Sequence, residues 1–200
     1  MFTDTVLPKN NEAEFIEIAL KLGFKKLYFL YDFDKYQNQK SRIFDFDIEI
    51  GFLVNQKNLN HAIKSSKLLV VKSSERDRFF IESKKIKIIY GFEEINRKDS
   101  LHQRVSGLNH IICELAKKND VAVGFSYSSL FNKNNEVTAL LIGRMMQNIK
   151  LCQKYKVKMV IGSFSNNPFG LRAPHDVMSL FAMMGVGQEE IKESLTSTSN

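Results

Sequence analysis

Short apolar runs alternate along this chain with segments whose apolar residues recur every three or four positions. The runs at 2–6, 27–31, 48–54, 68–71, 86–89, 121–125 and 158–161 are rich in Val, Ile, Leu and Phe. Such runs suit strands buried on both faces of a sheet. The segments at 11–22, 58–65, 75–82, 108–119 and 136–155 have helical spacing. In the first of them Phe15, Ile16, Ala19 and Leu20 form one stripe, and Gly23 supplies the residue that ends a helix in the left-handed conformation. Strand–helix units in series predict parallel strands joined by right-handed crossovers. A unit of roughly 25 residues suits a compact barrel, and the Gly-rich first turn of an open dinucleotide-binding sheet is missing. The expected fold is therefore α/β: a small TIM-like barrel of about seven parallel strands with surrounding helices. One domain is expected over 1–193, followed by a small, polar, frayed tail over 194–200.

Composition adds exclusions. The chain has 200 residues, 44% of them apolar and 26% charged, which is the profile of an ordinary globular protein and not of a disordered one. No run approaches eighteen uncharged apolar residues, so no membrane span is expected. Met1-Phe2-Thr3-Asp4 is not a basic region followed by a long apolar run, so the expected location is cytoplasmic. Two cysteines, Cys113 and Cys152, both in predicted helices, read as free thiols in a reducing compartment.

Charge changes the picture more. The formal net charge is +7, and the excess is concentrated between Arg97 and Arg172. There, twelve basic side chains face only Asp99, Glu114, Asp120 and Glu136, while the remainder is nearly neutral. A cationic window of this kind favours a polyanionic partner. On the predicted helix 136–155, Leu141, Met145, Ile149 and Cys152 fall on one stripe. Arg144, Gln147, Lys150 and Lys154 fall on the other side, which is expected to face solvent. Ser106 is the expected N-cap of the preceding helix, with His110 and Lys117 outward and Arg104 beside them. After the last strand, Arg172 stands immediately before Pro174, a residue suited to the first position of a helix. A guanidinium and free backbone N–H groups would meet an anion there.

Catalytic equipment is sparse. His61, His102, His110 and His175 form no His-x-His, His-Glu-x-x-His or Cys/His spacing. There is no nucleophile elbow and no phosphate-binding Walker loop. Asp45 and Asp47 read as a solvated strand end. Asp4 is the one carboxylate where a barrel metallohydrolase would want a ligand. Phe79, Phe80, Phe125 and Phe181 occupy positions expected to be core. No catalytic residue, metal site or cofactor is expected.

Several segments together carry a family resemblance. They are Phe2-Thr3-Asp4, Gly107-Leu108-Asn109-His110, Val123-Gly124-Phe125-Ser126, Arg144-Met145-Met146-Gln147-Asn148, Lys154-Tyr155-Lys156-Val157 and Leu171-Arg172-Ala173-Pro174-His175-Asp176. Across nearly its whole length the chain resembles the archaeal ribonuclease P protein component 3 family, counterpart of the thirty-kilodalton subunit of the eukaryotic enzyme. The resemblance implies a TIM-like barrel related to the polymerase-and-histidinol-phosphatase metallohydrolases. Those relatives carry Asp and His ligands after the first strand, and Asp4-Thr5-Val6 lacks the histidines. It also implies a non-catalytic, RNA-binding subunit of a ribonucleoprotein endonuclease whose RNA removes the 5′ leader of precursor tRNA. The implied partners are ribonuclease P RNA, precursor tRNA indirectly, protein component 2 and the other ribonuclease P proteins. RNA contact carries over to Arg104, His110, Lys117, Lys118, Lys154 and Arg172, and the helix face adds Arg144 and Lys150. One departure is Lys156-Val157-Lys158, where the family commonly has a proline after the valine. Two other readings are a metal-dependent phosphoesterase using Asp4 and His175, and a protein-interaction scaffold with a basic face.

Overall fold

The computed structural model describes residues 2–38, 45–95, 98–100, 104–131 and 133–196. Seven strands pair in sequence order, every neighbouring pair parallel: β1 (Thr3–Val6), β2 (Lys26–Asp32), β3 (Asp47–Leu53), β4 (Leu69–Lys72), β5 (Ile88–Tyr90), β6 (Ala122–Ser126) and β7 (Met159–Gly162). Between and after them run α1 (Glu12–Leu22), α2 (Leu59–Ala62), α3 (Asp77–Glu82), α4 (His110–Lys118), α5 (Asn135–Tyr155), α6 (Pro174–Met183) and α7 (Gln188–Thr196). The connection from β2 to β3 carries a 3₁₀ turn, Phe33–Asn38, in place of a helix among its described residues. The TIM-like barrel expected from the sequence is the fold observed, and each strand lies within two residues of its predicted bounds.

Strand alternation divides the core in two. Tyr28, Leu30, Val70, Ile88, Tyr90, Ala122 and Val160 pack with Leu68 and Phe164 in a cluster that contains no helical residue, which is the barrel interior. Leu27, Phe29, Tyr31, Leu69, Val71, Ile89, Val123, Phe125 and Ile161 point outward against the helices. Burial on both faces is why these strands read as continuous apolar runs. At one end of the interior the rings of Tyr90 and Phe164 stack at 4.3 Å with an 8° interplanar angle. Gly124 makes room for them, because a Cβ there would lie 2.7 Å from the Tyr90 Cβ and 3.2 Å from the Phe164 ring.

The barrel closes between β1 and β7 through a seam that the regular ladders do not cover. Phe164 N donates to Thr5 O at 2.7 Å and Leu7 N to Ser165 O at 2.8 Å. The Asp4 carboxylate supplies the rest. Its Oδ1 accepts Ser163 N at 2.6 Å and Thr5 N at 2.7 Å, and its Oδ2 accepts the Tyr127 hydroxyl. Ser126 Oγ and Ser128 Oγ both donate to Ser163 O, at 2.8 and 2.6 Å. Phe164 is held at φ 47°, in the left-handed region that an aromatic residue rarely adopts.

Several sequence expectations need correction. The N-cap of α4 is Asn109, whose side chain accepts Ile112 N at 3.0 Å, and not Ser106. Ser106 is buried and donates to Asn148 Oδ1 at 2.7 Å. Phe79 is 45% exposed on α3, while its neighbour Phe80 takes the core position about 100° away around the helix. Phe80, Phe125 and Phe181 are buried as expected. Ser194–Thr196, expected in a frayed tail, complete α7: Leu195 is buried and its carbonyl accepts the Thr3 hydroxyl at 2.8 Å. Residues 197–200 lie outside the described residues, as do Arg97 and His102. Asp45 and Asp47 are exposed. Cys113 and Cys152 are free and buried.

Two buried carboxyls make stability pH-dependent. Burial lifts Asp4 to about 6 even though Tyr127, Ser163 and Thr5 hydrogen bonds pull it down. Glu93, fully buried in the 3₁₀ turn Phe92–Glu94 after β5, is lifted by burial to about 7, and among the described residues neither of its oxygens has a hydrogen bond of ordinary geometry. The folded chain therefore keeps two protons that the unfolded chain has already released near pH 4, so stability falls as pH rises toward 7. Urea unfolding between pH 5 and 8 is expected to show this decline, with Glu93 contributing on the order of 2–3 kcal/mol and Asp4 on the order of 1 kcal/mol over that window. Glu93→Gln is expected to flatten part of the decline and to be more stable than the parent at pH 8. A parent stability that rises over this window would be incompatible with burial as the governing influence. Asp4→Ala strands two buried N–H groups and a hydroxyl, and is expected to cost about 3–5 kcal/mol in the same measurement.

Candidate nucleic-acid interface

The carboxyl ends of β4 to β7 open into a cleft of about 1190 Å³. The Lys72–Glu94 pair (2.8 Å), Lys98, Lys133, Glu136 and Arg172 bring charge to it, and Ser128, Asn166 and Asn167 bring neutral polar groups. Arg172 is fixed before any ligand arrives. Its Nη1 donates to Phe169 O at 2.9 Å and to Leu171 O at 2.7 Å, and its guanidinium lies 4.2 Å from the Phe131 ring centroid. Its backbone N–H reaches the Tyr127 hydroxyl at 3.4 Å, which ties it to the Asp4 seam. Pro174 is the first residue of α6, as expected, and no side chain caps that helix. A preorganised guanidinium with donors left over is suited to a phosphate.

Arg144 does not face solvent. Its exposure is 0%. Nε donates to Asp99 Oδ1 at 2.8 Å, Nη2 lies in ion-pair contact with the same oxygen at 2.8 Å, and Nη1 donates to Glu93 O at 2.9 Å. Glu93, Asp99, Arg104 and Ser106, which follow β5 in the chain, lie against this side of α5. Arg104 Nη1 donates to Gly143 O at 2.9 Å, and its guanidinium packs so closely that a Cβ on Gly143 would sit 2.9 Å from Cζ. Burial tends to raise Asp99, but the Val105 N–H and the Arg144 guanidinium outweigh it and hold the carboxyl below its ordinary range. A helical projection fixes angles around α5 but carries no information about a remote segment laid across it. The small Gly143 beside Arg144 was the available signal of that close approach. Arg104 remains exposed, and His110 is exposed at the first position of α4.

The remaining predicted cations lie at the other end of the barrel. Lys117 and Lys118 finish α4, Lys154 lies in the last turn of α5, and all three are exposed. Lys150 is exposed one turn earlier on α5. Cations at helix C-termini offset the negative end of the dipole, but here they are joined by lysines from other elements. Lys158 pairs with Asp120 at 2.8 Å, and its hydrogen bond holds that carboxyl below its ordinary range, with Lys87 and Lys117 adding to the effect. One aspartate thus sits among three lysines. The predicted residues divide into a mouth group (Arg104, His110, Arg172) and a floor group (Lys117, Lys118, Lys154). Along α4, His110 and Lys117 stand about 10 Å apart, and along α5 the Gly143 carbonyl that holds Arg104 stands about 16 Å from Lys154.

Asp4 has both carboxylate oxygens engaged in the seam, and His175 is exposed on the first turn of α6. Among the described residues no three His, Cys, Asp or Glu side chains gather in a group that could hold a metal ion. Sequence reading passed over Glu93 and Phe169. Nothing marks Glu93 as buried. Phe169 is flanked by Asn167-Pro168 and Gly170, a turn signature that places an aromatic residue on a loop.

The profile of the family described as RNase P subunit p30 matches residues 96–200, more than half of the chain. A ribonuclease P protein component 3 of Methanothermobacter thermautotrophicus is 25% identical over 194 residues, covering 90% of this chain and 78% of that protein. One from Methanococcus maripaludis is 28% identical over 138 residues, covering 66% of this chain and 58% of that protein. A chain in the cryo-EM structure of archaeal ribonuclease P with mature tRNA shares the fold, with a TM-score of 0.76 and 21% identity over 96% of this chain and 86% of that one. The barrel, the matched carboxyl-terminal half and the relatives agree: the chain belongs to the RNase P subunit p30 family.

Proposed function

We propose that this chain is an RNA-binding protein subunit of ribonuclease P, supporting removal of the 5′ leader from precursor tRNA while the RNA subunit performs the chemistry. Its partners on this reading are ribonuclease P RNA, protein component 2 and the other protein subunits, with precursor tRNA met indirectly, in the cytoplasm. The observation that carries the reading, beside family membership, is the pairing of a fixed arginine at the barrel mouth with a lysine cluster on the floor that has a single aspartate at its centre. Neither group is arranged to break a bond. Both neutralise phosphates, which compacts a folded polyanion and releases its counterions.

The roles of the predicted residues then separate. Arg172, Arg104 and His110 contact RNA at the mouth, and Lys117, Lys118, Lys150 and Lys154 contact it along α5 and at the floor. Arg144 acts indirectly, by pairing with Asp99 beside the Arg104–Gly143 contact.

Filter binding to ribonuclease P RNA across a salt series tests this division. Replacing Lys117, Lys118 and Lys154 together by Ala is expected to reduce the magnitude of the log K against log salt slope by about 2–3, near one counterion per contact. Arg172→Ala is expected to weaken binding by about 1–3 kcal/mol. Unchanged affinity and slope in both variants would overturn the reading. Arg144→Ala breaks a buried pair and is expected to lower folding stability by about 3–5 kcal/mol in urea unfolding. Leader cleavage by the RNA at low magnesium, with and without the chain, supplies the functional readout.

A further inference from the structure

Phe169 is 75% exposed, and it stands on a turn that cannot fold it away. Ser165 Oγ donates to Asn167 O at 2.8 Å and accepts Asn167 N at 3.1 Å. Asn167 Oδ1 accepts Phe169 N at 3.1 Å, and Gly170 N donates to Asn167 O at 2.8 Å. Gly170 is required by the packing, since a Cβ there would lie 2.3 Å from Ser165 Oγ. The same turn anchors Arg172, whose Nη1 is bonded to the carbonyl of Phe169 itself. Neither Nε nor Nη2 of Arg172 has a hydrogen bond among the described residues, and Phe169 and Arg172 both line the mouth cleft.

A rigid, solvent-facing aromatic ring tied through its own backbone to a guanidinium with free donors has the parts that recognise one nucleotide: a face for the base and a clamp for its phosphate. We propose that the Phe169–Arg172 turn binds an unpaired nucleotide of RNA, the base stacking on Phe169 and the phosphate bonding Arg172, with Asn166 and Ser128 available to the base edges. This rests on the RNA-binding reading and narrows it to unpaired RNA at this end of the barrel. A base inside a helix has no open face to offer the ring, so duplex RNA is not the ligand here. Phe131, Val137 and Leu140 also line the cleft, but an apolar protein surface laid over Phe169 would cover the Arg172 guanidinium and leave its spare donors without a partner.

The chain contains no tryptophan, so Phe169→Trp places a single reporter on the turn. Titration of that variant with an eight-nucleotide single-stranded RNA is expected to quench its fluorescence, whereas a blunt duplex is expected to leave it unchanged. Phe169→Ala is expected to weaken single-strand binding about 5- to 100-fold. Its salt slope should stay the same, because no phosphate contact is lost, and its thermal unfolding should match the parent. Arg172→Ala is expected to weaken binding and to reduce the slope by about 0.7. Wild-type single-strand affinity in Phe169→Ala, or equal loss for single strand and duplex, overturns the assignment. If the floor-lysine variant still loses affinity for ribonuclease P RNA in either case, RNA binding stands and only this site falls. A parent chain that binds neither RNA overturns both.

Discussion

A single carboxylate decides whether this sheet is a barrel. Ladder pairing runs unbroken from β1 to β7, but the two outer strands meet only through a short irregular seam. Asp4 fills that gap by gathering two backbone N–H groups and a tyrosine hydroxyl on one buried group. Burying it is unfavourable, as its raised pKa records, but the donors it satisfies would otherwise be buried without partners. The same residue position that suggested a metal ligand in the sequence is thus occupied by a structural task. Tyr127 extends that task outward, since its hydroxyl meets both the seam and the backbone of Arg172. The rigidity of the mouth is inherited from the closure of the barrel.

The interior is sealed beneath the mouth by the Tyr90–Phe164 stack. The cleft above it is broad, mixes apolar and polar side chains in its lining and has cations on its rim, a form suited to holding a chain that passes across it. Charge is organised by topology more than by any one element. Helix C-termini and strand N-termini all arrive at the floor, so lysines distant in sequence, such as Lys87, Lys117 and Lys158, become neighbours around Asp120. Asp99 and the Glu93 carbonyl do the opposite and withdraw a charge, taking Arg144 out of solvent and into a buried network.

The fold was legible because its strands are buried on both faces: a doubly buried strand leaves an apolar run that needs no partner to be recognised. Helix α5 was equally plain, and its stripe of Leu141, Met145, Ile149 and Cys152 is buried. Errors arose wherever a distant segment decided exposure. Arg144 looked like part of a solvated face because nothing local announces a partner at Asp99. Ser106 has the chemistry of an N-cap, but its hydroxyl is committed to Asn148, and Asn109 holds the cap geometry. Phe79 and Phe169 show the limit of composition, since a phenylalanine in sequence is read as core and only packing shows which ones are left outside. The division of the basic residues between two ends was also invisible, because a window of sequence has no direction in space.

Helix α5 gives that division a fixed dimension. A 21-residue helix bolted along the barrel does not stretch or hinge, so Arg104, held at Gly143, and Lys154 in the last turn form a caliper of about 16 Å along its axis. On the reading proposed above, an RNA gripped at one end meets the other at a high local concentration only if its own fold matches that gap. Misfolded transcripts would be held at one jaw and released quickly, whereas a correctly folded one would close both. Selection by span, with no base read at all, then follows from the stiffness of one helix.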